Sequence, residues 1–343
     1  MVKKTVVRYI AVMVWLVMVG KVSHAQIVRK LEQGPDCSIR GMSIVDNNVA
    51  WISGSKGYVG LTLNGGKTWK WQQVKGFEKS DFRDIEAFSD KRAVIMSAGT
   101  PALIMQTTDG GENWEVNYRN DDKAYFLDGM DFFDAKHGVA FGDPIDGKFV
   151  MLETNDGKVW QQSQSAPVAL PNEAAFAASG TCINIVKEDK SIKIVTGGPV
   201  ARMFKGKAGN WTIADLPLTH GADSKGAFAT ADGGGYTVVV GGNYKQLNNR
   251  DSTACYFDKA DNNYRLSNTM PMGYQSGVCW LGGSNFLSTG TSGTNITANG
   301  GKNWKQINTE SFNVCKKAAR GTLVLLAGDK GQLAVLDAYV SHN

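Results

Sequence analysis

An eight-residue phrase recurs along the chain, short β-rich runs fill the intervals, and no sustained helical period follows the first 25 residues. Together these predict an all-β chain folded as a seven-bladed β-propeller with four-stranded antiparallel blades. The phrase reads TLNGGKTW to Trp69, TTDGGENW to Trp114 and TANGGKNW to Trp304. A shorter variant, TNDGKVW, ends at Trp160, and a worn copy, GKAGNW, ends at Trp211. The steps between successive Trp up to Trp211 are 45, 46 and 51 residues, and the 93 residues from Trp211 to Trp304 leave room for two more.

Each part of the repeat has a physical role. Asn64, Asp109, Asp156 or Asn299 can turn a side-chain oxygen onto nearby backbone N–H groups, and the glycines that follow suit the positive φ of a tight corner. The closing Trp69, Trp114, Trp160 or Trp304 opens the return strand and offers an apolar face to the neighbouring unit. Upstream lie two β-rich runs, such as VAWISG and YVGLTL, preceded by a third such as SIRGMSIV; one more run follows the corner. The blades are expected at 37–74, 81–119, 125–165, 173–217, 224–268, 273–308 and 312–336. The fifth keeps a vestige of the phrase ending at Tyr264. The seventh supplies three strands, and Ile27 to Leu31 is expected to add its outer strand and latch the ring, removing exposed sheet edges. Irregularity in blades four and five leaves six or eight blades as alternatives.

The corner phrase resembles the Asp-box, or BNR, repeat. The longer pattern, with its Gly-rich corner after the second strand, is similar to the Ycf48-like propellers related to photosystem II assembly factors. The resemblance spans nearly the whole chain after residue 25. It implies a propeller and, as an expectation, a binding or assembly role. Asp-box corners occur in glycosidases as well as in non-enzymatic propellers, so the corner itself does not choose between them. Asn at positions 64 and 299 argues against acid–base chemistry there and for a structural role.

Residues 1–25 read as a secretory signal: basic Lys3, Lys4 and Arg8, ten apolar residues from Ile10 to Val19, and Ser23-His24-Ala25 before the cleavage point. Residues 26–343 are expected to form one propeller domain, exported to a periplasmic or extracellular location, monomeric and without membrane insertion. The chain has 37 Lys and Arg against 32 Asp and Glu, and the signal holds four of the basic residues and no acid. The remainder therefore carries +1, which gives no nucleic-acid footprint. The five cysteines, Cys37, Cys182, Cys255, Cys279 and Cys315, show no metal spacing and read first as small buried residues. Cys279 and Cys315, in adjacent blades, are the pair to test for a bridge.

No zinc, phosphate-loop, dinucleotide, nucleophile-elbow or EF-hand pattern is present, so no metal, cofactor or catalytic residue is expected. Recognition is expected at the channel mouth. Aligning inner strands on Met42, Ile85, Met130, Phe176, Phe228 and Val278 places Arg40, Arg83, Asp128, Ala174, Gly226 and Ser276 two residues earlier. Glu173, Lys225 and Gln275 stand three residues earlier. Arg40, Arg83, Asp128, Glu173 and Lys225 then form a mixed-charge ring whose paired guanidinium groups suit carboxylates or phosphates. Asp143 in the GDPIDG loop, Arg250 in the 241–252 insertion, and Tyr125 and Tyr274 ahead of inner strands complete the candidate rim. Mutual pairing of these charges, and a turn role for Asp143, are the competing explanations.

The reading that follows is a non-catalytic scaffold that binds an envelope protein or peptide at this mouth. The alternative is a glycan-binding or sialidase-like propeller, for which Asp128 and Glu173 would be the carboxyl pair. An oxidoreductase of the same repeat family ranks below both.

Overall fold

The computed structural model describes residues 27–337, apart from 208 and 261; the expected signal segment lies outside the described residues. Seven antiparallel sheets succeed one another along the chain and form the seven blades of a propeller. Blade one is the meander Ile39–Ile44, Ala50–Gly54, Tyr58–Thr62 and Lys70–Gln73, and blades two, three and six repeat its order. Blade seven is Val314–Lys317, Val324–Ala327 and Leu333–Asp337, completed by Ile27–Lys30. That strand pairs antiparallel with Leu333–Asp337, so an N-terminal and a C-terminal strand close the ring, as the sequence suggested.

The corner phrase is a hydrogen-bonded knot. In blade two the Thr107 hydroxyl donates to Asp109 Oδ1 (2.8 Å) and accepts from the Gly111 N–H (2.9 Å). Asp109 Oδ1 in turn accepts from the Asn113 N–H at 3.0 Å. The amide oxygens of Asn64 and Asn299 accept in the same way from the N–H groups of Thr68 (3.0 Å) and Asn303 (2.9 Å). An amide oxygen thus replaces a carboxylate, which makes the position architectural. Gly65 sits at φ +70°, where an added Cβ would lie 2.7 Å from the Asn47 carbonyl oxygen.

Each corner packs against a neighbouring strand. Trp114 meets buried Trp51 edge-on at 6.2 Å, and Trp160 meets Phe132 at 5.7 Å. The core is accordingly a series of apolar clusters, most of them between neighbouring blades. All five cysteines are buried free thiols within this packing, and Cys315 and Cys279 lie within thiol–thiol hydrogen-bonding reach.

Blade four departs from the expected alignment. Its innermost strand is Ile183–Val186, not the run around Phe176. Residues 174–181 instead leave the sheet and cross the channel as a strap. Along the strap Ala174 pairs with Gly197, the Ser179 hydroxyl donates to the Ser276 carbonyl (2.7 Å) and the Thr181 carbonyl accepts from Thr230 N–H (2.9 Å). Gly180, at φ +70°, lies so close to Asp84 that a Cβ would fall 2.2 Å from its Oδ1. The small-residue run Ala174-Ala175, Ala177-Ala178-Ser179-Gly180 is what lets the backbone approach this closely.

Candidate functional site at the channel mouth

The mouth is set by a β-bulge repeated in the inner strands of blades one, two, three and five. The register slips between Ile39 and Gly41, Phe82 and Asp84, Leu127 and Gly129, and Ala227 and Ala229. The unpaired residue at each slip is Arg40, Arg83, Asp128 and Phe228. A bulge redirects its extra residue, and these four line one pocket of about 530 Å³. In blade five the bulge residue is therefore Phe228, two residues beyond the expected Gly226. The phases differ because the inner strand there runs long, Ala222–Gly233, and reaches back to pair with Gly197–Gly198.

The strap floors this pocket, and the mouth charges hold its backbone. Arg40 Nη1 donates to the Ala178 carbonyl (3.1 Å), and Arg83 Nη1 donates to that of Ala177 (3.4 Å). Arg83 Nε also donates to Asp81 (2.8 Å). Asp143 Oδ1 accepts from the Ala175 N–H at 3.1 Å, so this residue does more than form its own turn. Burial lowers the Arg40 pKa from its ordinary value, and the neighbouring Arg83 charge adds to this. Asp128 is 1 % exposed, and neither carboxyl oxygen has a hydrogen bond of good geometry. Burial pushes its pKa well up, with the Asp143 charge adding to the effect and Arg83 opposing it. Burial raises Asp143 as well.

The opposite wall is aromatic. Phe176 and Phe228 stack at 3.8 Å, and Tyr274 meets Phe228 edge-on at 4.8 Å. Tyr244 and Leu247, from the long blade-five insertion, cap this wall and are 42 % and 40 % exposed, which leaves them open to a partner. The pairing of Phe176 with Phe228 is not visible in the sequence, because the strap hides the true phase of blade four.

Of the expected rim, Arg40, Arg83, Asp128, Asp143 and Tyr274 come together here. Glu173, Lys225, Tyr125 and Arg250 do not line the pocket. Glu173 is enclosed with Arg202, also accepting from Thr196 (2.5 Å) and the Leu170 N–H (2.8 Å). Its two oxygens are thereby committed to structure, so it forms no carboxyl pair with Asp128. Tyr125 is buried and packs against Tyr118. Arg250 reaches to the Met270 carbonyl (2.9 Å), and Lys225 sits in register opposite Asn243. Among the described residues no cluster of His, Cys, Asp or Glu could hold a metal ion, and no helix is long and apolar enough to cross a membrane.

Residues 25–121 match the sequence model of the family described as photosynthesis system II assembly factor YCF48. No curated protein matches the chain. Among solved structures the chain is similar to YCF48 bound to a D1 peptide (TM-score 0.65, 15 % identity, 92 % of this chain and 97 % of that one). It is also similar to YCF48 from Cyanidioschyzon merolae (0.63, 13 %, 90 % and 98 %). The Pan2 WD40 domain of Neurospora crassa aligns almost as well (0.62, 14 %, 90 % and 93 %), so these structural likenesses speak for the fold alone. The seven sheets and the corner knots make the chain a β-propeller, and the family match over its first two blades makes it similar to the Ycf48-like BNR type.

Proposed function

We propose that the protein is an exported, non-catalytic propeller that captures a protein or peptide segment at the channel mouth. The observation that carries this reading is the strap: mouth side chains already hold a short stretch of its backbone, with arginines on two carbonyls and Asp143 on an N–H. Groups that hold one peptide so are chemically suited to another lying above it, where Tyr244, Leu247 and the aromatic wall offer apolar contact. The similar YCF48 structure carrying a D1 peptide supports a peptide as the class of partner. The leader-like first 25 residues support export.

The test is capture of partners from envelope extract by the immobilised chain from residue 26 onward. Combined reversal of Arg40→Glu and Arg83→Glu is expected to abolish capture, and Tyr244→Ala to weaken it, while circular dichroism stays native. Unchanged capture by the double variant would remove the mouth from the account.

A further inference from the structure

Among the described residues Asp128 is the one acid of the pocket lining without a hydrogen bond of good geometry, and the neighbouring Asp143 accepts one from the Ala175 N–H. Asp128 and Asp143 lie together at the start of blade three, on its inner strand and near the end of its second strand. Keeping two carboxyls together under burial is costly, because each disfavours the charge of the other. Among the described residues no lysine or arginine forms an ion pair with either one. Arg83 is engaged by Asp81 and the strap and Arg40 by the strap, while the other two acids of the lining are served elsewhere, Asp223 by Lys245 and Asp329 by Ser38 and Asn313. Two carboxylates fall short of the roughly six to eight oxygens that a calcium ion gathers. They match a single compact cation with several donors.

We infer that the mouth contains an ammonium subsite, in which Asp143 contacts a primary ammonium of the partner and Asp128 is the positioning charge beneath it. The inference rests on the mouth being the binding face and narrows the partner to one presenting a lysine side chain or a free N-terminus beside its apolar contact. Asp143 is the contacting group because it is partly open to the pocket, whereas Asp128 is closed off. A bound ammonium would let both carboxyls ionise and would join them in one charge-assisted network.

Three probes separate the possibilities by calorimetric titration: acetyl-Phe-Lys-Gly-amide, Lys-free Ala-Phe-Gly-amide with a free N-terminus, and acetyl-Phe-norleucine-Gly-amide. At least one ammonium probe is expected to bind about tenfold tighter than the norleucine probe, and which one identifies the source of the ammonium. Asp143→Asn is expected to erase that advantage, so that the ammonium probes bind no tighter than the norleucine probe. Asp128→Asn is expected to reduce the advantage while raising Tm, a combination that a merely structural residue would not give, since removing an unpartnered buried acid relieves a cost of folding. Equal binding of all three probes, no binding of any, or an advantage that survives Asp143→Asn would overturn the subsite. The mouth itself would then still stand or fall on capture by the arginine variant.

Discussion

At Thr107 one hydroxyl serves three groups of the corner, and the residue is buried. Thr107→Val keeps the shape but strands the Gly111 N–H. It is expected to cost about 1–3 kcal/mol, read as a fall in Tm of roughly 2–4 °C per kcal/mol for a chain of this size. Asn64→Asp, by contrast, preserves the acceptor and should leave stability within the change of about 0.5 kcal/mol typical of surface sites. A large loss of Tm from Asn64→Asp would show that the amide nitrogen, which donates to Thr68 (2.9 Å), matters more than the oxygen. The corner residues were legible because a local knot needs fixed residue types at fixed spacing. The Thr two places before each Asp or Asn was equally visible in the phrase, at Thr62, Thr107, Thr154 and Thr297, yet its role emerges only from the hydrogen bonds. Asp128 was legible as a mouth residue, but its lack of a partner was not, since that depends on the strap laid beside it.

Two elements make the ring what it is. The first is the N-terminal strand with the residue that follows it, whose Val28 and Leu31 join the apolar clusters on either side of blade seven. Removing residues 27–31 bares the edge of Leu333–Asp337 and opens those clusters. The expected result is a marked loss of Tm with association visible by sedimentation; an unchanged, monomeric, equally stable chain would show that the latch is dispensable. The second element is the strap. It could not be read from periodicity, because residues 174–181, ahead of Ile183, look like a strand of their own, and an alignment that assumes equal blades absorbs them as one. The long inner strand of blade five hid its bulge in the same way, which is why Gly226 stood where Phe228 belongs. Blade number and latch, by contrast, followed from counting corners and from the three strands left over at the end.

For the molecule as a whole, the channel beyond the strap places Asp84, Glu86 and Asp131 around Lys316. Burial raises Asp84 to about 7, against the pull of Lys316 and hydrogen bonds from the Met130 and Ile85 N–H groups. Burial raises Glu86 and Asp131 too. Burial opposes the charge on Lys316, but the three acids outweigh it and lift its pKa. The folded chain therefore binds more protons than the unfolded chain between the ordinary carboxyl range near 4 and neutrality. Stability from these acids is complete below their unfolded pKa and fades as pH rises through the folded one. Tm is expected to rise as pH is lowered from about 8 to about 5. Further acidification reverses the trend as carboxylates held low, such as Asp109 at about 2 and Asp134 at about 2, lose their hydrogen-bonded charge. A Tm that falls steadily from pH 8 downward would contradict this arrangement of charge.

The reading of the molecule as a ring that recognises peptide at one mouth is tested most directly by site-specific photocrosslinking in envelope extract. A benzophenone side chain at position 244, on the rim, is compared with one at position 213, exposed on the outer strand of blade four. The account predicts a discrete protein adduct at 244, lost when Arg40 and Arg83 are reversed, and none at 213. Adduct formation at 213 with none at 244 would contradict it.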